Sequence, residues 1–154
     1  MGSPFTITRS LVIDAAPERL HELVDDFHEW RAWSPWEDLD PNLERTYSGP
    51  ESGLGAHYAW KGNKRAGSGS MEITGLAPDR VDIRLQFTAP WQADNKVSLV
   101  FTPSDAGGQD VTWTMSGEHT GGFRGLVMKL MPMDKMLGRD FEKGLTRLKA
   151  IAEG

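Results

Sequence analysis

Arg80-Val81-Asp82-Ile83-Arg84-Leu85-Gln86-Phe87-Thr88-Ala89 decides the fold, because its odd-numbered residues from Val81 to Phe87 are apolar and the residues between them are polar. Strict alternation over this length predicts a β-strand lying on a core with one dry and one wet face. The neighbouring segments behave alike. Upstream, Met71 and Ile73 stand against Ser70, Glu72 and Thr74, while Tyr58 and Trp60 share a face opposite His57 and Lys61. Downstream come Val97, Leu99 and Phe101, then Val111, Trp113 and Met115 against Thr112, Thr114 and Ser116. Gly, Pro, Asp and Asn punctuate the intervals, so these strands are predicted to follow one another as antiparallel hairpins. Gly67 and Gly69 are expected on the inward face, where a missing side chain permits a sharp bend or a close approach.

Both flanks of this meander differ from it. Phe5 to Ile13 mixes β-branched, aromatic and aliphatic residues with polar ones and predicts a first strand. Pro17 then suits a first helical turn, and Leu20, Leu23, Val24 and Phe27 recur at threes and fours to give a short apolar face. Trp30, Trp33 and Trp36 continue the aromatic series, but Pro35 disfavours helical geometry at Ser34, so two short helices or one bent helix are expected. From Phe123 onward Leu126, Val127, Leu130, Leu137, Phe141, Leu145, Leu148 and Ile151 form a long amphipathic stripe. Pro132 interrupts that stripe and marks the expected start of the main helix. Met128, Met131, Met133 and Met136 lie around the break. One α+β domain over residues 1–154 accounts for the whole pattern, with no repeat or linker to divide it.

Composition narrows the function classes. A chain of 154 residues can bury one sizeable core. Its formal charge of -5 disfavours a non-specific grip on nucleic acid. Cysteine is absent, which removes disulfides, thiolate zinc sites and thiol nucleophiles, and is compatible with the cytoplasm, the expected location. No apolar run is long enough to span a bilayer, and the N-terminus lacks the order of a secretory signal. Gly2 loosely fits a myristoylation pattern, although Phe5 already belongs to the first strand.

Motifs for common chemistries are missing. Neither Gly49 to Gly53 nor Gly67 to Met71 has the serine of a nucleophile elbow, and no phosphate-cradling glycine loop occurs. His21, His28, His57 and His119 are scattered, so no metal and no cofactor are expected. His21 and His28 are expected at the surface. Glu118 and His119 are adjacent at a strand end, which sends their side chains to opposite faces and prevents direct partnership. Tyr58 is predicted to point inward, where its phenol would bond either a core partner or a ligand.

The order of strand, two short helices, about six strands and a terminal helix resembles the helix-grip architecture of the START-like (SRPBCC) superfamily. Several segments look like its polyketide cyclase/dehydrase-related branch. They include W-S-P-W-E-D-L-D-P-N from Trp33, G-A-H-Y-A-W-K-G-N-K from Gly55, G-S-G-S-M-E-I-T from Gly67, V-T-W-T-M-S-G from Val111 and M-D-K-M-L-G-R-D-F-E-K-G-L from Met133. The resemblance implies a curved antiparallel sheet of six to seven strands wrapped around a long C-terminal helix, with a cavity between them. It carries over no catalytic set.

Six tryptophans and seven methionines would give such a cavity a wide, polarisable lining. The expected ligand-binding residues are Trp33, Trp36, Tyr58, Trp60, Met71, Phe87, Trp113, Met115, Met128 and Met131, each of which could equally be core. The leading expectation is binding of a small hydrophobic or aromatic, lipid- or polyketide-like molecule, closed in by the Trp30 to Trp36 segment and the methionine-bearing helix start. Catalysis of polyketide cyclisation or dehydration is the alternative, and an interaction module using the same pocket is a third.

Overall fold

A computed structural model describes residues 3–38, 40–64, 66–89, 92–119 and 133–154. Strand β1 (Ser3–Ile13) leads into helix α1 (Pro17–Val24) and two single 3-10 turns, Glu29–Ala32 and Pro35–Asp38. Then come β2 (Glu44–Ser48), β3 (His57–Lys61), β4 (Ser68–Ala77), β5 (Arg80–Ala89), β6 (Ala93–Pro103), β7 (Gln109–His119) and the terminal helix α2 (Met133–Glu153). The strands form one open antiparallel sheet in the order β1-β7-β6-β5-β4-β3-β2. Strands β2 to β7 meander as the alternation predicts. The first strand returns to pair with the last, with Ser3 opposite His119 and Ile13 opposite Gln109.

Local chemistry explains where α1 stops. Pro17 occupies its first turn, and Leu20, Leu23 and Val24 are buried. A helix leaves its last carbonyls without internal partners, and here two indoles supply them. Trp30 Nε1 donates to Val24 O at 2.7 Å and Trp33 Nε1 to Leu23 O at 3.0 Å. The tryptophan segment is therefore folded back under the helix as two turns divided at Ser34, where the helical geometry ends as Pro35 requires.

Helix α2 buries Phe141, Leu145 and Leu148 and keeps Leu137 and Ile151 half-buried, as its stripe predicts. It packs on β1, α1 and the two turns. The earlier part of that stripe, Leu126, Val127 and Leu130, lies outside the described residues, as do Met128 and Met131. Met133 and Met136 fall in the first turns of α2.

Pairing registers resolve the inward face of the sheet into rows that cross the strands. Val81, Leu99 and Trp113 make one row, and Ile73, Ile83, Val97, Met115 and Ile7 the next. Every residue named in these two rows is buried, and the first row ends at Leu76 on β4, which is exposed, and at Arg9 on β1, which is half-buried. A third row runs Tyr47, Tyr58, Met71, Leu85 and Asn95, and a fourth Arg45, Trp60, Gly69, Phe87 and Ala93. Along these last rows burial falls away, with Tyr47, Met71, Trp60 and Phe87 only half-buried. The concave face thus grades from a sealed end under α1 and α2 to a less covered end at Trp60 and Phe87.

Gly69 makes the fourth row possible. A Cβ there would stand 2.7 Å from Trp60 Cη2, so the bare backbone is what the indole rests on, and the strand register shifts between Ser68 and Gly69. Gly67 does not share that face. It lies in the turn before β4 with φ of 64°, a left-handed conformation that glycine adopts without steric cost.

Candidate functional site

The third and fourth rows place an apolar surface beside a polar corner. Across bare Gly69, Trp60 meets Phe87 edge to face at 5.7 Å between ring centroids. Its indole nitrogen is held by Ala66 O at 3.0 Å, so the ring orientation is fixed. Trp60 also stacks on Tyr58 at 6.1 Å, and Tyr58 in turn contacts Tyr47, its cross-strand neighbour, at 5.2 Å. Aromatic rings held this way give a stiff wall for a planar or hydrophobic molecule.

Polar groups close one end of that wall. Arg45 projects from the inward side of β2 and donates to Glu37 Oε2 through Nε at 2.9 Å and Nη2 at 2.5 Å. Both side chains are largely buried, at 18% and 10% exposure. The Tyr58 phenol adjoins Arg45, and burial, followed by the charge of Glu37, raises its pKa far above the ordinary phenol range. Burial and Glu37 raise that of Tyr47 as well. Tyr58 therefore stays a neutral hydrogen-bond donor at any physiological pH. The Tyr47 hydroxyl is buried and has no hydrogen-bond partner among the described residues.

On its outer side Tyr47 stacks against His28 at 4.0 Å and helps line a cleft of about 190 Å³ with Phe27, Ser48, Pro50 and His57. This volume is below the roughly 300 Å³ at which drug-sized pockets begin. The cleft suits a group of a few atoms. His28 is exposed, as expected, but His21 departs from the surface position predicted for it. Its ring is half-buried, with Nδ1 2.6 Å from Asp25 Oδ2 and Nε2 2.9 Å from Ala77 O. Glu118 and His119 end β7, so they are in strand as predicted.

The ten residues singled out from the sequence fall into distinct places. Tyr58, Trp60, Met71 and Phe87 come together in the third and fourth rows. Trp33, Trp113 and Met115 lie in the packed core, at 0%, 1% and 3% exposure. Trp113 stacks on Phe141 and meets Trp30 and Trp33 edge-on. Trp36 is half-buried where the second turn touches α2, edge-on to Trp113 at 5.7 Å, with its side chain hydrogen-bonded to Asp140. Burial raises the Asp140 carboxyl pKa against the lowering effect of that bond. Met128 and Met131 lie outside the described residues.

Four residues of the site were missed by sequence reasoning: Glu37, Arg45, Tyr47 and Asn95. A signal existed for Asn95, because the inward series Val97, Leu99, Phe101 extends back by two to reach it. Nothing in the sequence joins Glu37 to Arg45, since they sit on different elements. Among the described residues no group of three or more His, Asp or Glu side chains could hold a metal ion, and no helix is long and apolar enough to cross a membrane.

Comparison with known proteins agrees with this architecture. The model of the family described as polyketide cyclase / dehydrase and lipid transport matches residues 4–153. Sequence comparison with curated proteins gives no match. Among solved structures, a Staphylococcus aureus protein of unknown function superposes with a TM-score of 0.72 at 12% identity, covering 99% of this chain and 95% of that one. Major latex-like protein 151 from Panax ginseng gives 0.68 at 14% identity, covering 98% and 99%. The Aha1 dimer from Colwellia psychrerythraea gives 0.63 at 15% identity, covering 97% and 96%. At these identities the likeness establishes the helix-grip fold.

Proposed function

The chain belongs to the polyketide cyclase/dehydrase and lipid transport family, and from that premise we propose that it binds a small hydrophobic or aromatic molecule, lipid- or polyketide-like, on the concave face of its sheet. The observation that carries this reading is the burial gradient along the rows. Trp60, Met71 and Phe87 are large apolar side chains on an inward face, yet they stay half-buried while Ile83, Val97, Leu99 and Trp113 in the rows beyond them are sealed. Apolar surface left in this state gains free energy when a ligand covers it. Tyr58 and Arg45 at the corner orient a ligand oxygen, and Trp36 stands at the junction with α2. Trp33, Trp113 and Met115 belong to the packed core beside this wall.

A fluorescence titration with N-phenyl-1-naphthylamine, a neutral apolar probe, tests the reading. Saturable binding is expected, weakened about tenfold by Trp60→Ala or Phe87→Ala, the loss typical of a central aromatic contact. Binding that never saturates, or that ignores both substitutions, would overturn it. Native mass spectrometry of freshly purified protein would show whether such a molecule is already carried.

Turnover is a second reading, favoured by one specific feature. A phenol kept neutral beside a guanidinium can hydrogen-bond a carbonyl oxygen of a polyketide-like substrate while the wall folds the chain for cyclisation or dehydration. Product formation from a polyketide-like substrate, abolished by Tyr58→Phe without loss of probe binding, would separate this from simple carriage.

A further inference from the structure

Asn95 sits in the apolar part of the third row, paired with Leu85 of β5. It alternates with exposed Asp94 and Lys96, so its side chain points to the concave face, and only 5% of the residue is exposed. A buried amide has two donors and an acceptor to satisfy. Among the described residues none hydrogen-bonds it, whereas Asp40, a buried polar residue elsewhere in the fold, binds the backbone N–H groups of Asn42 and Asn63. The amide has a seat made for it. A Cβ on Gly117 of β7 would collide with Asn95 Oδ1 and press on the Phe5 ring, so the amide rests over bare backbone between Leu85 and Phe5. These neighbours are apolar and offer it nothing. Asn95 is not among the fully buried polar atoms left without a partner, which among the described residues are the Tyr47 hydroxyl and Trp113 Nε1, so its amide keeps enough access for an arriving group to bond it.

We propose that Asn95 is the specificity-determining residue of the concave face, selecting ligands that carry a donor and an acceptor side by side on an apolar body. A carboxamide, a protonated carboxylic acid or the enol form of a 1,3-dicarbonyl has this edge, and each meets the amide with two hydrogen bonds. The proposal rests on the ligand-binding reading above. It deepens that reading by naming the chemistry recognised at the end of the row opposite Tyr58 and Arg45.

The test uses two probes of one shape, 2-naphthamide and 2-isopropylnaphthalene, each displacing N-phenyl-1-naphthylamine from the wild type and from Asn95→Leu. The side-chain change mirrors the probe change, so the ratio of the two affinities isolates the hydrogen bonds. The expected result is a preference shifted about tenfold towards 2-isopropylnaphthalene in Asn95→Leu, the size of a lost pair of buried hydrogen bonds. The melting temperature without ligand should hold or rise, because an unpaired amide has been removed. If both probes bind and the ratio moves less than twofold, the assignment of Asn95 falls and the ligand-binding reading stands. A fall of several degrees in melting temperature with an unchanged ratio makes Asn95 structural and overturns the proposal too. If neither probe displaces the dye and the dye itself never saturates, both readings fail together. Asn95→Ala, which adds no bulk, gives the same comparison should the leucine overpack the site.

Discussion

The ring of Trp113 on β7 lies parallel to that of Phe141 on α2, with centroids 4.4 Å apart and planes within 4°. Trp36 meets both rings edge-on. This stack fastens the terminal helix to the sheet at the sealed end. Phe141→Ala should therefore cost about 3–5 kcal/mol of stability, the usual range for truncating a fully buried aromatic. Urea unfolding checks it, and a loss under 1 kcal/mol would mean the helix is held elsewhere.

Two glycines of α2 predict opposite outcomes for the same substitution. A Cβ on Gly144 would lie 2.8 Å from Trp113 Cζ3 and 3.0 Å from Pro35 Cδ, both rigid and packed. The three atoms nearest a Cβ on Gly138 all belong to the guanidinium end of Arg9. Alanine gains roughly 1 kcal/mol of helix propensity over glycine. At residue 144 an overpacking cost of about 1–3 kcal/mol should outweigh it, whereas at residue 138 the flexible arginine can swing aside. Gly144→Ala should lower the melting temperature and Gly138→Ala should raise it slightly; the same sign for both would refute the packing argument.

Alkaline pH should weaken the fold through its two tyrosines. Tyr47 and Tyr58 are the only ones in the chain, and both have raised pKa values, chiefly through burial. The folded protein thus keeps phenolic protons that the unfolded chain begins to release near pH ~10. Their stabilising contribution is complete below that pH and declines above it. Phenolate absorbance in the near ultraviolet should appear at higher pH in native than in urea-unfolded protein. Coincident titration curves would contradict the burial of Tyr58.

Glu37 and Arg45 form a pair whose partners are not interchangeable with neutral ones. Glu37→Gln leaves the guanidinium largely buried without its counter-charge and should destabilise by about 1–3 kcal/mol, discounted from the range for fully buried pairs because some solvent reaches it. Adding Arg45→Met should recover most of the loss. A double-mutant cycle measures this, and strict additivity would show that the ion pair contributes nothing.

Sequence periodicity made the strands, their inward faces and the terminal helix legible, because each depends on spacing within one element. Val81, Ile83 and Leu85 could be placed on the dry face from alternation alone. Depth could not. Trp33 and Trp60 are the same residue type at comparably apolar positions, yet one is sealed beneath α1 and the other half-buried on Gly69. That difference arises from which strand lies beside which, and from where the helices run. Asn95 escaped notice because Pro90, Asp94 and Asn95 together read as a turn, whereas β6 begins at Ala93. Composition argues for a loop there, and cross-strand pairing with β5 overrides it.

Pairing of β1 with β7 has a consequence for how the molecule is made. On the ribosome β1 emerges before the other six strands, but its pairing partner is synthesised roughly a hundred residues later, at the rate of ~5–20 residues per second. Until then an eleven-residue strand with one greasy side has no neighbour to hydrogen-bond. Such long-range closure slows folding. In the interval, β1 is the segment most open to chaperone capture or to mispairing with another nascent chain.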